Sequence, residues 1–422
     1  MNNKLGEFDA FVKRNLKWNF SVNVIDFALY TLALSFTSQL TILPAFVSKF
    51  TSSKILIGMI PTINVIGWLL PQLLSARYVE KFSRKKPFVL AVGLFERVPW
   101  LFMVLFIMPK SIPGMWKLAS FMILYGVFCL AGGINTPAWL DMMGKIIPER
   151  TRGKFFGLSN FIGNGLGVIG ALIAGYLLEK TAFPGNFSAC FMVAFISTSI
   201  SLVFVGLTRE PEYPVVKCPS DLKSYLGELL NITRTNRNYF RFLIAMVIIS
   251  MATMASGFFT VHAIDRLKLS GDDIGLFTAI TLFFQTITNP LWGYLGDRKG
   301  HKIVMEASAL FSVLSTLIAA FANSTYMFYV VFAVTGMSLS ASVIARLSIV
   351  LEFSEPEERP TYIGLTNTIR APFTAVAPLM GGLIGDMFNL PTVFIITSII
   401  ISIGLLIFIT GVKEPRTQRI DL

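Results

Sequence analysis

The chain has 422 residues, of which 54% are hydrophobic and 14% charged, and its mean hydropathy is +0.67. This excess of apolar residues excludes an ordinary water-soluble domain and is typical of a polytopic membrane protein. The formal net charge of +12 does not indicate a nucleic-acid partner, because the lysines and arginines concentrate in alternate loops, as they do when they orient membrane helices.

Apolar segments of about 20 residues, the length that crosses the hydrocarbon core as a helix, recur along the chain. Such segments should be helices, because lipid offers no partner to an open backbone donor. An amphipathic stretch before the first segment predicts a short interfacial helix. We place twelve spans, at residues 20–46, 55–75, 87–108, 117–144, 154–178, 187–207, 239–262, 273–295, 302–321, 325–351, 361–386 and 391–411. The predicted fold class is an all-α membrane protein with twelve transmembrane helices.

Three pairs of matching segments recur in the same order in the two halves of the chain. They are GYLGDRKGHK at 293–302 with ARYVEKFSRK at 76–85, PERTRGKFFGLSN at 148–160 with PEERPTYIGLTN at 356–367, and Arg209-Glu210-Pro211 with Lys413-Glu414-Pro415. Repeats in one order indicate a duplicated unit. The two halves should therefore form two pseudo-symmetric six-helix bundles.

The predicted domains are an N-terminal six-helix bundle at 1–207 that includes the interfacial pre-helix, a cytoplasmic linker at 208–238 with an amphipathic helix, and a C-terminal six-helix bundle with a short tail at 239–422. Lysines and arginines are most frequent in the loops that share a side with both termini. The positive-inside rule then places both termini in the cytoplasm of a multi-pass protein in the cell (inner or plasma) membrane.

The decapeptide and the duplication resemble the major facilitator superfamily of the bacterial type. The signature of that family, between helices 2 and 3 and again between helices 8 and 9, is G-x-x-x-D-R-x-G-R-K. The second copy matches it at Gly293, Asp297, Arg298, Gly300 and Lys302, whereas the first copy keeps only a charge pattern. The resemblance covers essentially the whole chain and implies secondary transport by alternating access.

We expect the signature to act as a conformational latch. A carboxylate at the cytoplasmic end of helix 8 can pair with the following arginine and face a neighbouring helix N-terminus, where the helix dipole favours an anion. The glycine spacing favours a latch over charge that only orients the chain, because orientation needs no glycine. The predicted latch residues are Asp297, Arg298, Gly293, Gly300 and Lys302, with Glu80, Lys81 and Arg84 from the first copy.

Two acidic residues inside predicted helices, Asp26 and Glu96, are the candidates for proton coupling. A charge in the membrane costs roughly 2.5–3.5 kcal/mol on insertion scales, so each needs a partner or a function. Glu96 and Arg97 lie about 100° apart around one helix, so we expect them not to pair with each other. Arg97 should instead form a buried salt bridge with a neighbouring helix, and Glu96 suits either a structural pair or a protonation site.

The family resemblance implies a substrate cavity between the halves, lined by helices 1, 4, 7 and 10 with 2, 5, 8 and 11. Serine and threonine stripes alone can be helix–helix contacts, whereas arginines and paired amides favour a wetted cavity. The candidate cavity residues are Arg370, Arg346, Asn367, Gln285, Asn64, Trp68, Asn160, Asn164 and Ser342. Arg346 and Arg370 suit an anionic substrate group, or they could pair with Asp26 or Asp141, and the sequence leaves both open.

The leading hypothesis is a secondary active transporter of a small solute, coupled to protons and leaning towards efflux of amphipathic compounds. Residues 377–382, APLMGG, resemble half of a drug/proton antiporter signature. One alternative is a proton- or exchange-coupled transporter of an organic anion, and another is a transporter-like receptor or sensor.

An enzyme is disfavoured. The chain has two histidines and three scattered cysteines, around which neither a catalytic set nor a metal site can be assembled. No phosphate-binding loop is present either. We therefore predict no cofactor and no metal. The expected partners are the small-molecule substrate, H+ and the lipid bilayer, without nucleic acid, and the chain is expected to be a monomer.

Overall fold

The computed structural model describes residues 2–79, 81–212, 236–267, 269–354 and 359–415, and within these ranges the secondary structure is helical without strands. The helices are α1 (Asn2–Phe36), α2 (Ile42–Val47), α3 (Lys54–Val79), α4 (Lys86–Ile107), α5 (Gly114–Ile146), α6 (Glu149–Lys180), α7 (Gly185–Gly206), α8 (Arg237–Ser250), α9 (Thr253–Ser256), α10 (Phe259–Leu267), α11 (Gly271–Lys299), α12 (His301–Phe321), α13 (Thr325–Phe353), α14 (Arg359–Met387) and α15 (Leu390–Gly411).

Eleven helical stretches in the described part of the chain are long and apolar enough to cross a membrane, counting α8 to α10 as one. The remaining long helix, α14, spans about 44 Å, but it contains Arg370 and two prolines, Pro372 and Pro378. The predicted all-α membrane fold is confirmed.

The first helix differs from the sequence prediction. It runs without a break from Asn2 to Phe36, so the amphipathic stretch is its first part and not a separate pre-helix. Residues 7–36 contain neither glycine nor proline, the two residues that most readily interrupt a helix. The predicted linker with its amphipathic helix spans residues 208–238, and its central part, 213–235, lies outside the described residues. Glu80, one of the predicted latch residues, also lies outside them.

The contacts divide the chain into two compact units, Met1–Ser38 with Ile63–Pro219, and Gln39–Thr62 with Ser220–Leu422. The second unit therefore includes α2 and the first part of α3, which precede the midpoint of the sequence. Glycines on α3 and α14 bring these two helices together. Gly58 lies against the backbone carbonyl of Pro378, and a Cβ added at Gly382 would stand 2.6 Å from the Cα of Ile55.

Each unit has its own apolar core near a signature segment. In the first unit Val79, Val89, Met142 and Phe155 are among the residues of one buried cluster. The corresponding cluster of the second unit is larger and aromatic. It includes Tyr239, Phe242, Tyr362 and Phe408. These clusters fix the rotation of each helix and so determine which polar side chains point inward.

Candidate functional site

The first unit contains a partly open cavity of about 230 Å³ among α1, α3, α4, α5 and α7. Acidic, basic, amide and aromatic side chains meet in it. Its lining comprises Asp26, Phe27, Tyr30, Trp68, Val89, Glu96, Arg97, Gly132, Asn135, Thr136, Trp139, Leu140, Leu202 and Val205. Three of these, Asp26, Glu96 and Arg97, are charged residues that are at most 5% exposed.

Small residues give the large cavity side chains their space. Asp26 and Tyr30 are one turn apart on α1 and so share a face. On α5, a Cβ at Gly132 would approach the Trp68 ring to 2.7 Å, so glycine is what lets this indole lie against the helix. On α4, a Cβ at Gly93 would lie 3.2 Å from the Arg97 guanidinium.

Glu96 and Arg97 form a buried ion pair, and the expectation that they do not pair is wrong. The Arg97 Nη1 donates to Glu96 Oε2 at 2.7 Å. Arginine is long enough to bend around the helix, and its other donors hold it there. Nη1 also donates to the Gly93 carbonyl at 3.0 Å, and Nε donates to the Thr198 carbonyl on α7 at 3.1 Å. The expected link to a neighbouring helix is thus a hydrogen bond and not a salt bridge.

The charge of Glu96 is compensated by several donors. Besides Arg97, the Tyr30 hydroxyl donates to Glu96 Oε1 at 2.6 Å, and the Asn135 amide lies 3.4 Å from Oε2. The Arg97 guanidinium also stands 5.8 Å from the centre of the Tyr30 ring. Both carboxylate oxygens of Glu96 thus have hydrogen-bond donors, one of them a guanidinium.

Asp26 has a different environment from Glu96. Its Oδ1 accepts a hydrogen bond from the Ser201 hydroxyl at 2.6 Å, and the indole of Trp139, which also lines the cavity, is a second donor near this carboxyl. Both donors are neutral. Among the described residues no cation lies within salt-bridge distance of Asp26, although Arg97 acts on it electrostatically at longer range. Asp26 is therefore the carboxyl that can take up a proton without breaking an ion pair.

Asn135 presents an acceptor that has no partner. The residue is 8% exposed, and its Oδ1 is buried without a hydrogen bond. A buried acceptor without a donor is unfavourable, so this oxygen suits a donor group on a ligand or a water. Asn135 and Trp139 were not predicted from the sequence. The one sequence signal that could have indicated them is that they lie one helical turn apart on α5, just after Gly132 and Gly133.

Two carboxylates and one guanidinium leave the cavity with a net negative charge when both acids are ionised. The unpartnered Asn135 oxygen adds a further acceptor, and Trp68 and Trp139 in the lining are aromatic residues of the kind that attracts cations. The cavity is chemically suited to a proton or to a cationic, partly apolar molecule.

The remaining predicted cavity residues of the first unit do not line this cavity. Asn64 lies within hydrogen-bonding distance of the Tyr125 hydroxyl, at 3.4 Å, and Asn160 donates to the Phe156 carbonyl at 2.7 Å. Asn164 is buried on α6. The other candidates belong to the second unit, on α11, α13 and α14. They are Gln285, Ser342, Arg346, Asn367 and Arg370.

The second signature copy surrounds the junction of α11 and α12. Gly300 joins these helices at φ +92°, a conformation that favours glycine, and a Cβ there would collide with the Glu414 carboxylate. Asp297 and Arg298 are exposed at the end of α11, and the Arg298 guanidinium stacks 4.6 Å from the centre of the Tyr294 ring.

Two other members of the predicted latch differ in how closely they are packed. Lys302 Nζ lies 3.5 Å from the Glu306 carboxylate. Gly293 has no neighbour within 4 Å of an added Cβ. The latch itself stays a prediction.

The first signature copy is held together by charged residues outside the predicted latch set. Lys145 and Glu210 form a buried salt bridge at 2.7 Å, and Lys85 stands 3.3 Å from Asp141. Glu210 also accepts hydrogen bonds from the backbone N–H groups of Lys85 and Lys86, at 2.8 and 2.7 Å, and so caps α4.

The predicted members of that first copy lie at the surface. Arg84 pairs with Glu212 at 3.3 Å and is exposed, as is Lys81. The repeated Arg/Lys-Glu-Pro segments now have a structural explanation. Glu210 caps α4 in the first unit, and Glu414 lies against Gly300 at the start of α12 in the second.

Comparisons with known proteins agree with this fold. The family profile described as Major Facilitator Superfamily matches residues 26–265 and 242–421. A stretch of 141 residues is 30% identical to "Multidrug resistance protein MdtG" of Salmonella typhi, and one of 144 residues is 31% identical to the protein of that name from Serratia proteamaculans. These matches cover 33% and 34% of this chain and 34% of each relative, so the chain matches about a third of the length of these curated relatives.

Solved structures are similar over nearly the whole chain. The crystal structure of the nucleoside transporter NupG matches with a TM-score of 0.68 at 14% identity, covering 93% of this chain and 98% of that one. A bacterial homolog of the human lysosomal transporter Spinster matches with a TM-score of 0.67 at 13% identity, covering 97% and 98%. At such identities the likeness shows the fold alone.

Proposed function

We propose that this chain, which belongs to the Major Facilitator Superfamily, exports amphipathic cations in exchange for protons. The chain is a multi-pass membrane transporter and not an enzyme, since the family profile covers it almost from end to end. The solute, its direction and the coupling ion are our proposal. We further propose that the transporter works as a monomer in the bacterial inner membrane, with both termini in the cytoplasm.

The observation that carries the proposal is the charge balance of the first-unit cavity. Glu96 is paired with Arg97, whereas Asp26 has only neutral donors. One carboxylate thus remains to be neutralised, and either a proton or a substrate cation can do so. Two ligands that neutralise the same group bind in competition, and such competition couples the movement of one to the movement of the other.

The lining of the cavity favours a partly apolar cation over a metal ion. Trp68, Trp139 and Phe27 are aromatic residues of the lining, and aromatic rings bind organic cations through the ring quadrupole. No group of three or more potential metal ligands occurs among the described residues. The relatives named for multidrug resistance support export, although they match only about a third of this chain.

The test is binding of tetraphenylphosphonium, an apolar cation, to the purified full-length protein in a non-ionic detergent. Wild type should gain thermal stability with the cation at pH 8 and less at pH 6, because a bound ligand raises the stability of the folded state and protons compete for Asp26. Asp26→Asn should lose the response. Asp272→Asn, which removes an exposed carboxylate outside the cavity, should keep it.

Two results would contradict the proposal. An Asp26→Asn protein that still responds fully to tetraphenylphosphonium removes Asp26 from cation binding. An equal response of wild type at both pH values removes the competition between the cation and protons.

A further inference from the structure

Two arginines of the second unit, Arg346 and Arg370, belong to the consecutive helices α13 and α14. Arg346 is about 10 Å before the end of α13 and Arg370 about 16 Å after the start of α14, measured along the helix axes. The two helices are joined by a short connection at 354–358, so their adjoining ends lie close in the chain. Both arginines are therefore about two helical turns or more from the adjoining helix ends, where arginines usually reach water.

Neither guanidinium has a partner among the described residues. No salt bridge or hydrogen bond from either side chain is formed there, and the Nε of Arg370 is buried without an acceptor. Arg346 is the charged residue that acts electrostatically on Arg370. Two like charges therefore influence each other without a carboxylate to compensate them.

The acidic residues that the sequence offered as partners are engaged elsewhere. Asp26 accepts from Ser201, and Asp141 lies 3.3 Å from Lys85. On α13 itself, Glu352 binds His301 at 2.6 Å. The charge of the two arginines thus remains to be balanced by something other than these carboxylates.

We infer that Arg346 and Arg370 form a binding site for an anionic group, a carboxylate or a phosphate. The planar guanidinium presents two parallel N–H donors that match the two oxygens of such a group, and two guanidiniums match its charge better than one. Ser342 and Asn367 lie one turn away on the same helices and offer further polar groups. The anion is either a soluble organic anion or the head group of an anionic lipid.

The experiment uses the purified full-length protein and two probes at constant ionic strength. The first arm measures the affinity of sodium benzoate and of inorganic phosphate by calorimetry in a non-ionic detergent. The second arm measures the retention of phosphatidylglycerol by native mass spectrometry, after release from nanodiscs of phosphatidylglycerol and phosphatidylcholine. The variants are Arg346→Lys and Arg370→Lys, with Arg241→Lys as the control, because Arg241 is an exposed arginine at the start of α8 in the same unit.

Wild type and the control should bind in at least one arm, and each lysine substitution at the site should weaken that binding at least tenfold, because an ammonium cannot reproduce the guanidinium fork. Binding of benzoate or phosphate identifies a soluble anion, and retention of phosphatidylglycerol alone identifies a lipid. Absence of wild-type binding in both arms overturns the site, as does undiminished binding by both lysine variants.

A second readout does not depend on the choice of probe. If the two arginines repel each other without a partner, Arg346→Gln should raise the melting temperature in a buffer with chloride as the only anion. A lowered melting temperature would show that Arg346 holds a structural contact and would overturn the inference. This site does not depend on the proposed cation export, since the response to tetraphenylphosphonium should be the same in the Arg370→Lys protein and in wild type.

Discussion

Replacing Glu96 by glutamine tests whether the buried ion pair is structural. The substitution keeps the size of the side chain. It also leaves an oxygen that can accept the hydrogen bond that the Tyr30 hydroxyl donates to Glu96 Oε1 at 2.6 Å in the wild type. It removes the negative charge that faces Arg97 Nη1 at 2.7 Å. Arg97 is only 5% exposed, so its charge then lacks a counterion in a buried position.

The expected loss of stability follows from these contacts. Removing one member of a buried ion pair costs about 3–5 kcal/mol. Arg97 keeps its hydrogen bonds to the carbonyls of Gly93 and Thr198, which partly stabilise the cation, so the loss should be near the lower limit, about 3 kcal/mol. Asp26→Asn breaks no ion pair and keeps an acceptor for Ser201, so its effect on the free energy of unfolding should be at most about 1 kcal/mol.

The assay is unfolding by titration with sodium dodecyl sulfate in mixed micelles, which reports the free energy of unfolding of each variant. The double substitution Glu96→Gln with Arg97→Gln should recover most of the lost stability, because it removes the unpaired charge together with its former partner. A Glu96→Gln protein as stable as wild type, or one less affected than Asp26→Asn, would refute the assignment of Glu96 to a structural pair.

Two further predictions concern the second signature copy and the topology. Gly300→Ala should lower the free energy of unfolding by at least about 1 kcal/mol, since Gly300 has φ +92° and borders Glu414. Gly293→Ala inside α11 should instead stabilise by roughly 0.5–1 kcal/mol. An equal effect of both substitutions in the same unfolding titration would argue against this explanation. In a cysteine-free background, a cysteine at Ser270 should react with an impermeant thiol reagent from outside the cell and one at Lys299 should not. The reverse labelling would overturn the orientation.

Much of the fold could be predicted from the sequence, because span length and repeats depend on short windows of residues. The intramembrane acids Asp26 and Glu96 were also identifiable, since a charge in an apolar helix stands out. The Glu96–Arg97 pair was missed because the angle between adjacent positions describes where side chains start and not how far an arginine reaches. Asn135 resembles any polar residue of a helix until the rotation of α5 is known.

The role of Glu210 shows the same limit. Its repetition as Glu414 in the second half was visible in the sequence, but its partner Lys85 is 125 residues away. No local pattern connects positions so distant in the chain. Contacts of this kind are decided by packing, and only the structure reveals that the repeated glutamates lie at the starts of equivalent helices.

The central claim, that protons and substrate cations compete for Asp26, is tested most directly by transport in vesicles with Asp26→Asn. Labelled tetraphenylphosphonium should accumulate against its gradient in inverted wild-type vesicles when a pH gradient is imposed, with no electrical potential across the membrane. The Asp26→Asn protein should fail to accumulate it, whereas Asp272→Asn should behave as wild type. Full pH-driven accumulation by Asp26→Asn, at matched amounts of protein, would contradict the account.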